Sequence, residues 1–403
     1  MMKKKILFVI NTLGRAGAET ALISLLRKLD PNKYEISLYV LMDQGEMRNQ
    51  IPDYVTLVNK RYCDESVLSK TGARKLRKTV LSRAFTRGTV FRLIPYLVTN
   101  LIDMIGKRRI QVDKLLWRLL SDGAVRLQEE YDLAVAYLEG GSTYYVADHV
   151  KAKKKAAFVH IDYKLAGYTR KLDLGCYDVI DRIFAVSDEV KDNYLRMYGE
   201  YKEKTKVFHN MIDQDYIIKK SKEQGGFEDD FKGIRLLTVG RLNPQKAYDV
   251  AIDALKCLNR VDVRWYVIGE GSQREFLEQK IRQSNLEDKF CLLGAKENPF
   301  PYYTQADIYV HVTRYEGKSI AIQEAQTLGC AILASDCSGN REQILNGIDG
   351  SLCELDPKKI AEAIAWLIDH KEIRRQYQQE TAKKRLIYRE ELELLENLIQ
   401  KEE

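Results

Sequence analysis

Paired cysteines are missing from this chain: its seven cysteines stand at 63, 176, 257, 291, 330, 337 and 353, odd in number and nowhere spaced Cys-x-x-Cys. That excludes a disulfide framework and a thiolate zinc site, and it fits a reducing, cytoplasmic setting. Long apolar runs are missing too. No segment reaches the ~18 uncharged residues needed to span a bilayer, and the apolar stretch 89–106 is broken by Arg92, Pro95 and Asp103. The opening MMKKKILFVINTLG starts like a secretory leader. Its apolar run, 6–10, is five residues with no small-residue cleavage site after it, so it reads as a buried strand. No Gly-x-Gly-x-x-Gly follows that strand, which argues against a dinucleotide dehydrogenase. Gly317-Lys318-Ser319 looks like the end of a P-loop, but Val312 stands where the first glycine belongs, and 308–313 is a strand-like run. The glycine cradle that wraps phosphates is therefore absent.

What is present is a doubled rhythm. With 403 residues, 45% apolar and 31% charged, two domains are the natural expectation. Unalternated strand runs occur at 6–10, 36–42, 132–137, 155–160 and 182–187, then again at 235–240, 264–269, 290–294, 308–313 and 331–336. Such runs, separated by amphipathic helices, predict an α/β fold of two Rossmann-like, doubly wound parallel sheets. The spacing predicts a helix over 245–259 with Pro244 at its start. The expected organisation is an N-terminal domain 1–212, a polar linker 213–233, a C-terminal domain 234–370, and a helical segment 371–403 packing back toward the N-terminal domain. Ligands of doubly wound sheets lie beyond the carboxyl ends of the strands, which here predicts a shared cleft.

The formal charge of +7 is uneven. Residues 60–126 hold sixteen Lys or Arg against five Asp or Glu, so this segment carries +11 and the rest of the chain −4. Mixed with Phe85, Phe91, Ile94, Leu101 and Trp117, the cations suit an anionic membrane surface. A solvated helical insertion is the alternative, because Arg83 and Arg87 fall on the same side as Leu76 and Val80. No recognised nucleic-acid module accompanies the charge.

In the turn Gly240-Arg241-Leu242-Asn243-Pro244-Gln245-Lys246 a strand runs into a helix. A guanidinium fork, an ammonium and helix N–H groups together describe a diphosphate site needing no metal. Past the strand at 308–313, Glu316 is followed by Gly317 and by Ser319, a helix-capping residue type, with Glu324 eight positions after Glu316. A carboxylate pair near phosphates makes sense where each accepts from sugar hydroxyls. Asp213-Gln214-Asp215 matches a metal motif but lies away from the strand ends, and His209 and His311 read as structural.

The ordered motifs VGRLNPQKAYDVAIDAL, VIGEGSQREFLEQKI and ADIYVHVTRYEGKSIAIQEAQTLGCAILASD, with LGRAGAETALISLLRKL near the start, resemble the retaining glycosyltransferases of family 4, which have the GT-B fold. YLEGGSTYYVADHV and FVHIDY resemble a bacterial branch that builds surface polysaccharides such as capsule. The resemblance covers nearly the whole chain outside about 60–130. It implies that Arg241 and Lys246 hold the donor diphosphate, that Glu324 accepts from the ribose, and that Glu316 contacts the transferred sugar. It further implies donor contacts at Gly14, Ala16, Gly17, Gly240, Gly317, Lys318, Ser319 and Ile320, and it places His160 near the reacting sugar. UDP is the carrier the family favours, no cofactor or metal is expected, and the setting is cytoplasmic, at the inner face of the plasma membrane. Glu139 and Gly140, at a strand end, are candidates for touching the acceptor, a glycan or lipid-linked saccharide.

The chain departs from the family where Ala247 replaces a common glycine, where Ala16 replaces the first glycine of Gly-Gly-Ala-Glu, and where Lys318 replaces an aromatic. Ala247 is expected inside a starting helix, where it needs no positive φ. A nucleotide-sugar epimerase of related fold and a noncatalytic nucleotide-sugar or glycan binder remain as alternative readings.

Overall fold

Val, Ile, Leu and Phe in unbroken runs favour strands covered on both faces, and the central run Ile6 to Ile10 is wholly buried. A computed structural model describes residues 3–400 apart from Leu68, Arg109, Lys164 and Leu165. The chain divides into two units: one runs to Met211 and is rejoined from Tyr388 onward, and the other is Ile212–Ile387.

The first unit holds β1 (Lys4–Ile10), β2 (Tyr34–Val40), β3 (Val55–Leu57), β4 (Glu130–Ala136), β5 (Lys151–Val159), β6 (Arg182–Ala185) and β7 (Thr205–Val207). They form one parallel sheet in the order β3-β2-β1-β4-β5-β6-β7. The second unit holds β8 (Ile234–Val239), β9 (Val263–Ile268), β10 (Phe290–Leu292), β11 (Ile308–His311), β12 (Ile332–Ser335) and β13 (Ser351–Cys353). Its parallel order is β10-β9-β8-β11-β12-β13. Strand order reverses beside β1 and beside β8. Those reversals are the switch points where doubly wound sheets take ligands. In the second core Trp265 is fully buried, its indole N–H donating to Thr238 Oγ1 at 2.9 Å.

The two sheets match the expected architecture; several boundaries do not. The segment 213–233 is not simply a linker: Asp213 caps the helix Gln214–Ser221 by accepting from the Tyr216 N–H at 3.2 Å, and Ile217 is buried. The C-terminal segment is split. The helix Lys371–Lys383 belongs to the second unit, whereas Arg389–Gln400 belongs to the first, where Glu396 meets Lys33 and Glu391 meets His209 at 2.8 Å. Residues 401–403 lie outside the described residues.

Between β3 and β4 the basic segment forms helices Lys70–Phe85, Thr89–Arg92, Ile94–Gly106 and Val112–Asp122. Arg83, which spoiled the expected segregation of faces, turns inward and pairs with Asp43 at 2.7 Å. Arg87 donates to the Ala124 carbonyl at 3.0 Å from a left-handed kink, φ +54°. Leu68 and Arg109 of this segment lie outside the described residues.

Candidate functional site

In the second unit, the loops leaving β8 and β11, which flank the switch point, are laced together. The Gln245 carbonyl accepts from the Arg314 N–H at 2.8 Å and from Thr313 Oγ1 at 3.0 Å, and Gln245 Nε2 donates to the Tyr315 carbonyl at 3.0 Å. Arg314 grips Asp249 with both guanidinium nitrogens, at 3.0 and 2.6 Å. Behind the first loop, the β9 end packs backbone to backbone. A Cβ at Gly269 would stand 1.9 Å from the Gly240 carbonyl oxygen, and one at Gly271 would stand 2.2 Å from that of Leu242. The glycines of VIGEGS therefore fix the Gly240–Leu242 turn by close approach.

These contacts bring Lys246 onto Glu316 in an ion pair with little exposure on either side chain. His311, at the end of β11 and 1% exposed, presents Nε2 to Glu316 Oε2 at 3.2 Å and Nδ1 to the Tyr309 hydroxyl at 3.1 Å. Burial alone would push the Glu316 carboxyl up. The Lys246 charge and the His311 hydrogen bond overcome it and lower it to about 2. Glu324 goes the other way: burial raises it to about 7, the Tyr303 hydroxyl at 2.8 Å offsetting only part. Two carboxyl groups eight residues apart are thus pushed in opposite directions, Glu316 down and Glu324 up. Arg241 is exposed at the head of the turn.

Gly317 and Lys318 follow, and Ser319 occupies the N-cap of the helix Ile320–Thr327 with no side-chain capping bond, contrary to its expected capping role. Extended backbone at Ser319, φ −71° and ψ 119°, opens the helix without it. Gly339 is what seats this loop. A Cβ there would meet the Gly317 carbonyl oxygen at 2.0 Å and that of Glu316 at 2.3 Å.

The helix expected over 245–259 is present but starts later, and Ala247, expected inside it without positive φ, is instead its left-handed joint. A 3-10 turn, Pro244–Lys246, stops at Ala247, which is left-handed at φ +45° and ψ +34°, and an α-helix restarts at Tyr248–Leu258. The methyl is fully buried. The joint lets Asn243 cap the short turn by accepting from the Lys246 N–H at 3.2 Å while the next helix takes a new direction.

In the first unit, the loop after β1 carries Gly14, Ala16 and Gly17, with Ala16 at the N-cap of the helix Gly17–Lys28. At the end of β4, Glu139 is 6% exposed and accepts from the His160 N–H at 3.0 Å. Gly140 has a positive φ of +76°, and a Cβ there would meet the Tyr168 hydroxyl at 2.6 Å. Asn11 clamps this corner, donating to the Glu139 carbonyl at 3.2 Å and accepting from the Ser142 N–H at 2.8 Å. Burial lowers His160 to about 4, and its Nε2 is buried with no hydrogen-bond partner; burial raises Glu139. The contact between the two runs through the His160 backbone N–H, and the His160 imidazole is neutral at ordinary pH. Among the described residues, Asp122, Asp148 and His149 form a grouping close enough to share a cation. There Arg118 pairs with Asp148, and His149 meets Asp122 at 2.8 Å.

Residues 219–385 match the model of the family described as glycosyl transferases group 1. The chain is 28% identical over 203 residues to the N-acetylgalactosamine-N,N'-diacetylbacillosaminyl-diphospho-undecaprenol 4-alpha-N-acetylgalactosaminyltransferase of Campylobacter jejuni, covering 50% of this chain and 54% of that one. It is 24% identical over 218 residues to the amylovoran biosynthesis glycosyltransferase AmsD of Erwinia amylovora, covering 52% and 59%. The chain thus spans about half the length of these curated relatives. Among solved structures, Anabaena Alr3699/HepE in complex with UDP and glucose superposes with a TM-score of 0.69 at 17% identity, over 98% of this chain and 100% of that one. A glycosyltransferase from Rickettsia africae superposes at 0.60 and 15% identity, over 99% and 100%. The chain therefore has the GT-B fold.

Proposed function

We propose that this chain is a glycosyltransferase that moves a sugar from a nucleoside-diphosphate sugar, UDP-linked, onto a glycan or lipid-linked saccharide in bacterial surface-polysaccharide synthesis. The observation that carries the reading is the lacing of the Gly240–Lys246 turn to the Thr313–Glu316 segment at the second switch point. It joins the Lys246 ammonium to Glu316 just ahead of the helix Ile320–Thr327, which carries Glu324, while Arg241 stands exposed at the head of the turn.

In this reading Arg241 and Lys246 meet the departing diphosphate, whose charge grows as the bond to the anomeric carbon breaks, each charge-assisted contact contributing about 1.5–3 kcal/mol. These two cations supply the charge, so the scheme needs no metal. Glu316, freed as Lys246 turns to phosphate, accepts from hydroxyls of the transferred sugar, and Glu324 accepts from the ribose. Backbone around Gly317, Lys318, Ser319 and Ile320, with Gly240 and with Gly14, Ala16 and Gly17 of the first unit, completes donor binding. His160 serves the reacting sugar, and Glu139 with Gly140 serves the acceptor hydroxyl. Displacement on the same face as the leaving diphosphate retains the anomeric configuration. The chain works at the cytoplasmic face of the plasma membrane, held there through residues 60–126.

The test offers UDP-sugars with lipid-linked and soluble saccharide acceptors and reads both UDP release and the anomeric proton couplings of the product. Acceptor-dependent release with retention, reduced about ten- to hundredfold by Lys246→Ala, is expected from the loss of one such contact. Inverted product or a trapped covalent glycosyl-enzyme overturns the mechanism. Nucleotide binding without turnover on any acceptor overturns the transferase reading.

A further inference from the structure

The helix Ile94–Gly106 is turned inside out for a protein that meets only water. Its inner edge is Tyr96, Asn100 and Met104, all buried, with the Tyr96 hydroxyl donating to the Leu172 carbonyl at 3.2 Å and Asn100 Nδ2 to the Tyr96 carbonyl at 2.9 Å. Its outer face is Ile94, Val98, Leu101, Ile102 and Ile105, a stripe at helical spacing, all of it exposed; Ile102 is 64% and Ile105 56% accessible. Single exposed apolar residues are ordinary, but a continuous stripe marks a contact surface. Phe91, just ahead of the helix, and Leu81 and Phe85 on the helix Lys70–Phe85 are exposed as well.

Charge says what covers this surface. Arg92 precedes the stripe and Lys107 and Arg108 follow it, all exposed. On Lys70–Phe85, positions 74, 78, 81 and 85 lie on one line, two cations leading into two apolar side chains, with Lys75 and Arg77 exposed alongside. Asp103, the acid of the short helix, is held by Lys107 at 2.6 Å and Lys171 at 3.1 Å, so its charge is balanced within the fold. An apolar stripe bordered by cations complements anionic lipid, with headgroups against the cations and acyl chains against the stripe. A second copy of the chain would bring the same cations against themselves. Among the described residues no single helix is long and apolar enough to cross a membrane; the pair Lys70–Arg92 and Ile94–Gly106 has the length and composition only with an 88° bend. Thirteen helical residues reach ~20 Å, against a hydrocarbon core of ~30 Å.

We propose that Ile94–Gly106 lies in the plane of an anionic bilayer surface, its Ile94–Ile105 stripe and the neighbouring Phe91 sunk below the headgroups, with the cations of Lys70–Phe85 gripping the headgroups beside it. The proposal deepens the membrane part of the proposed function and does not depend on sugar transfer.

The test is sedimentation of the full chain with phosphatidylcholine vesicles with and without phosphatidylglycerol, for the parent, for the double variant Ile102→Glu, Ile105→Glu, and for Arg74, Lys75, Arg77 and Lys78 all changed to Gln. Both variants alter exposed side chains, and UDP-dependent thermal stabilisation of each sample reports folding and the nucleotide site separately. Binding only to vesicles containing phosphatidylglycerol is expected, weakened at least about tenfold by the double variant. The indole introduced by Ile102→Trp should be quenched by brominated acyl chains. If the double variant binds like the parent while the glutamine variant is lost, the protein adsorbs by charge alone and the inserted stripe is wrong, although membrane contact stands. If the parent binds no vesicle, both fall. If the parent instead self-associates with rising concentration and the double variant does not, a second copy covers the stripe and the proposal is overturned.

Discussion

At the scale of single residues, the contrast between Glu316 and Glu324 is the most informative feature. Both are carboxylates held largely from water, yet Lys246 and His311 keep one ionised while burial keeps the other protonated up to about pH 7. The sign of the stability effect follows. Between 4.5, the value for an unfolded glutamate, and about 7, the folded chain holds a proton on Glu324 that the unfolded chain releases, so stability from this group falls as pH rises through that window. The loss amounts to roughly 3 kcal/mol at most. Glu316 acts at lower pH, contributing above 4.5 and losing its contribution as pH falls toward about 2. Denaturant unfolding of the parent and of Glu324→Gln at pH 5 and pH 8 is the check. The stability difference between parent and variant should shift against the parent at pH 8, and an unchanged difference would mean that Glu324 is ionised throughout. His311 was hidden from sequence reading for a plain reason: inside a buried strand run, nothing distinguishes a core imidazole from one whose Nε2 faces the first residue of the site.

At the scale of elements, ten of the strands were legible because unbroken apolar runs need no partner to be recognised. The three that were not, β3, β7 and β13, are three-residue edge strands; β10 is as short and also at an edge, but it was legible because the apolar run 290–294 extends past it. The turn into Tyr248–Leu258 was legible in composition and misread in geometry. Pro244 does open a helical turn, but that turn ends at Ala247, and the left-handed joint accounts for why glycine is the common residue there. A left-handed alanine costs about 1–2 kcal/mol, partly offset here by its buried methyl and by the extra freedom glycine has when unfolded. Ala247→Gly should therefore raise the thermal midpoint of the second unit by roughly 1–3 °C. A lower midpoint would mean that the methyl's packing outweighs the backbone strain. Gly339 could not be found from sequence, since it acts on a carbonyl 22 residues earlier that only the fold brings near.

At the scale of the whole molecule, two doubly wound sheets were readable from the repeated rhythm, and the ordered motifs of the second unit showed its likeness to glycosyl transferases. The return of the chain to its first unit was expected from 371 and takes place at Tyr388. The polar stretch 213–233 looked like a linker because its helix buries little beyond Ile217, and the charged C-terminal segment gave no sign that its two helices serve different units. The basic insertion was visible as charge, whereas its outward apolar stripe needed the structure, because residues 94–105 alone do not reveal which side the protein covers.

The central claim is that the second unit binds a nucleoside diphosphate through Arg241, Lys246 and Glu324. The most direct measurement is thermal unfolding in EDTA with UDP, GDP, ADP and CDP for the parent, Arg241→Ala and Glu324→Ala. Saturation at about 100 times the dissociation constant adds roughly 2.7 kcal/mol, a shift of several degrees. UDP should stabilise the parent and neither variant. Stabilisation that appears only when a divalent metal is added, or that survives in both variants, would contradict the account.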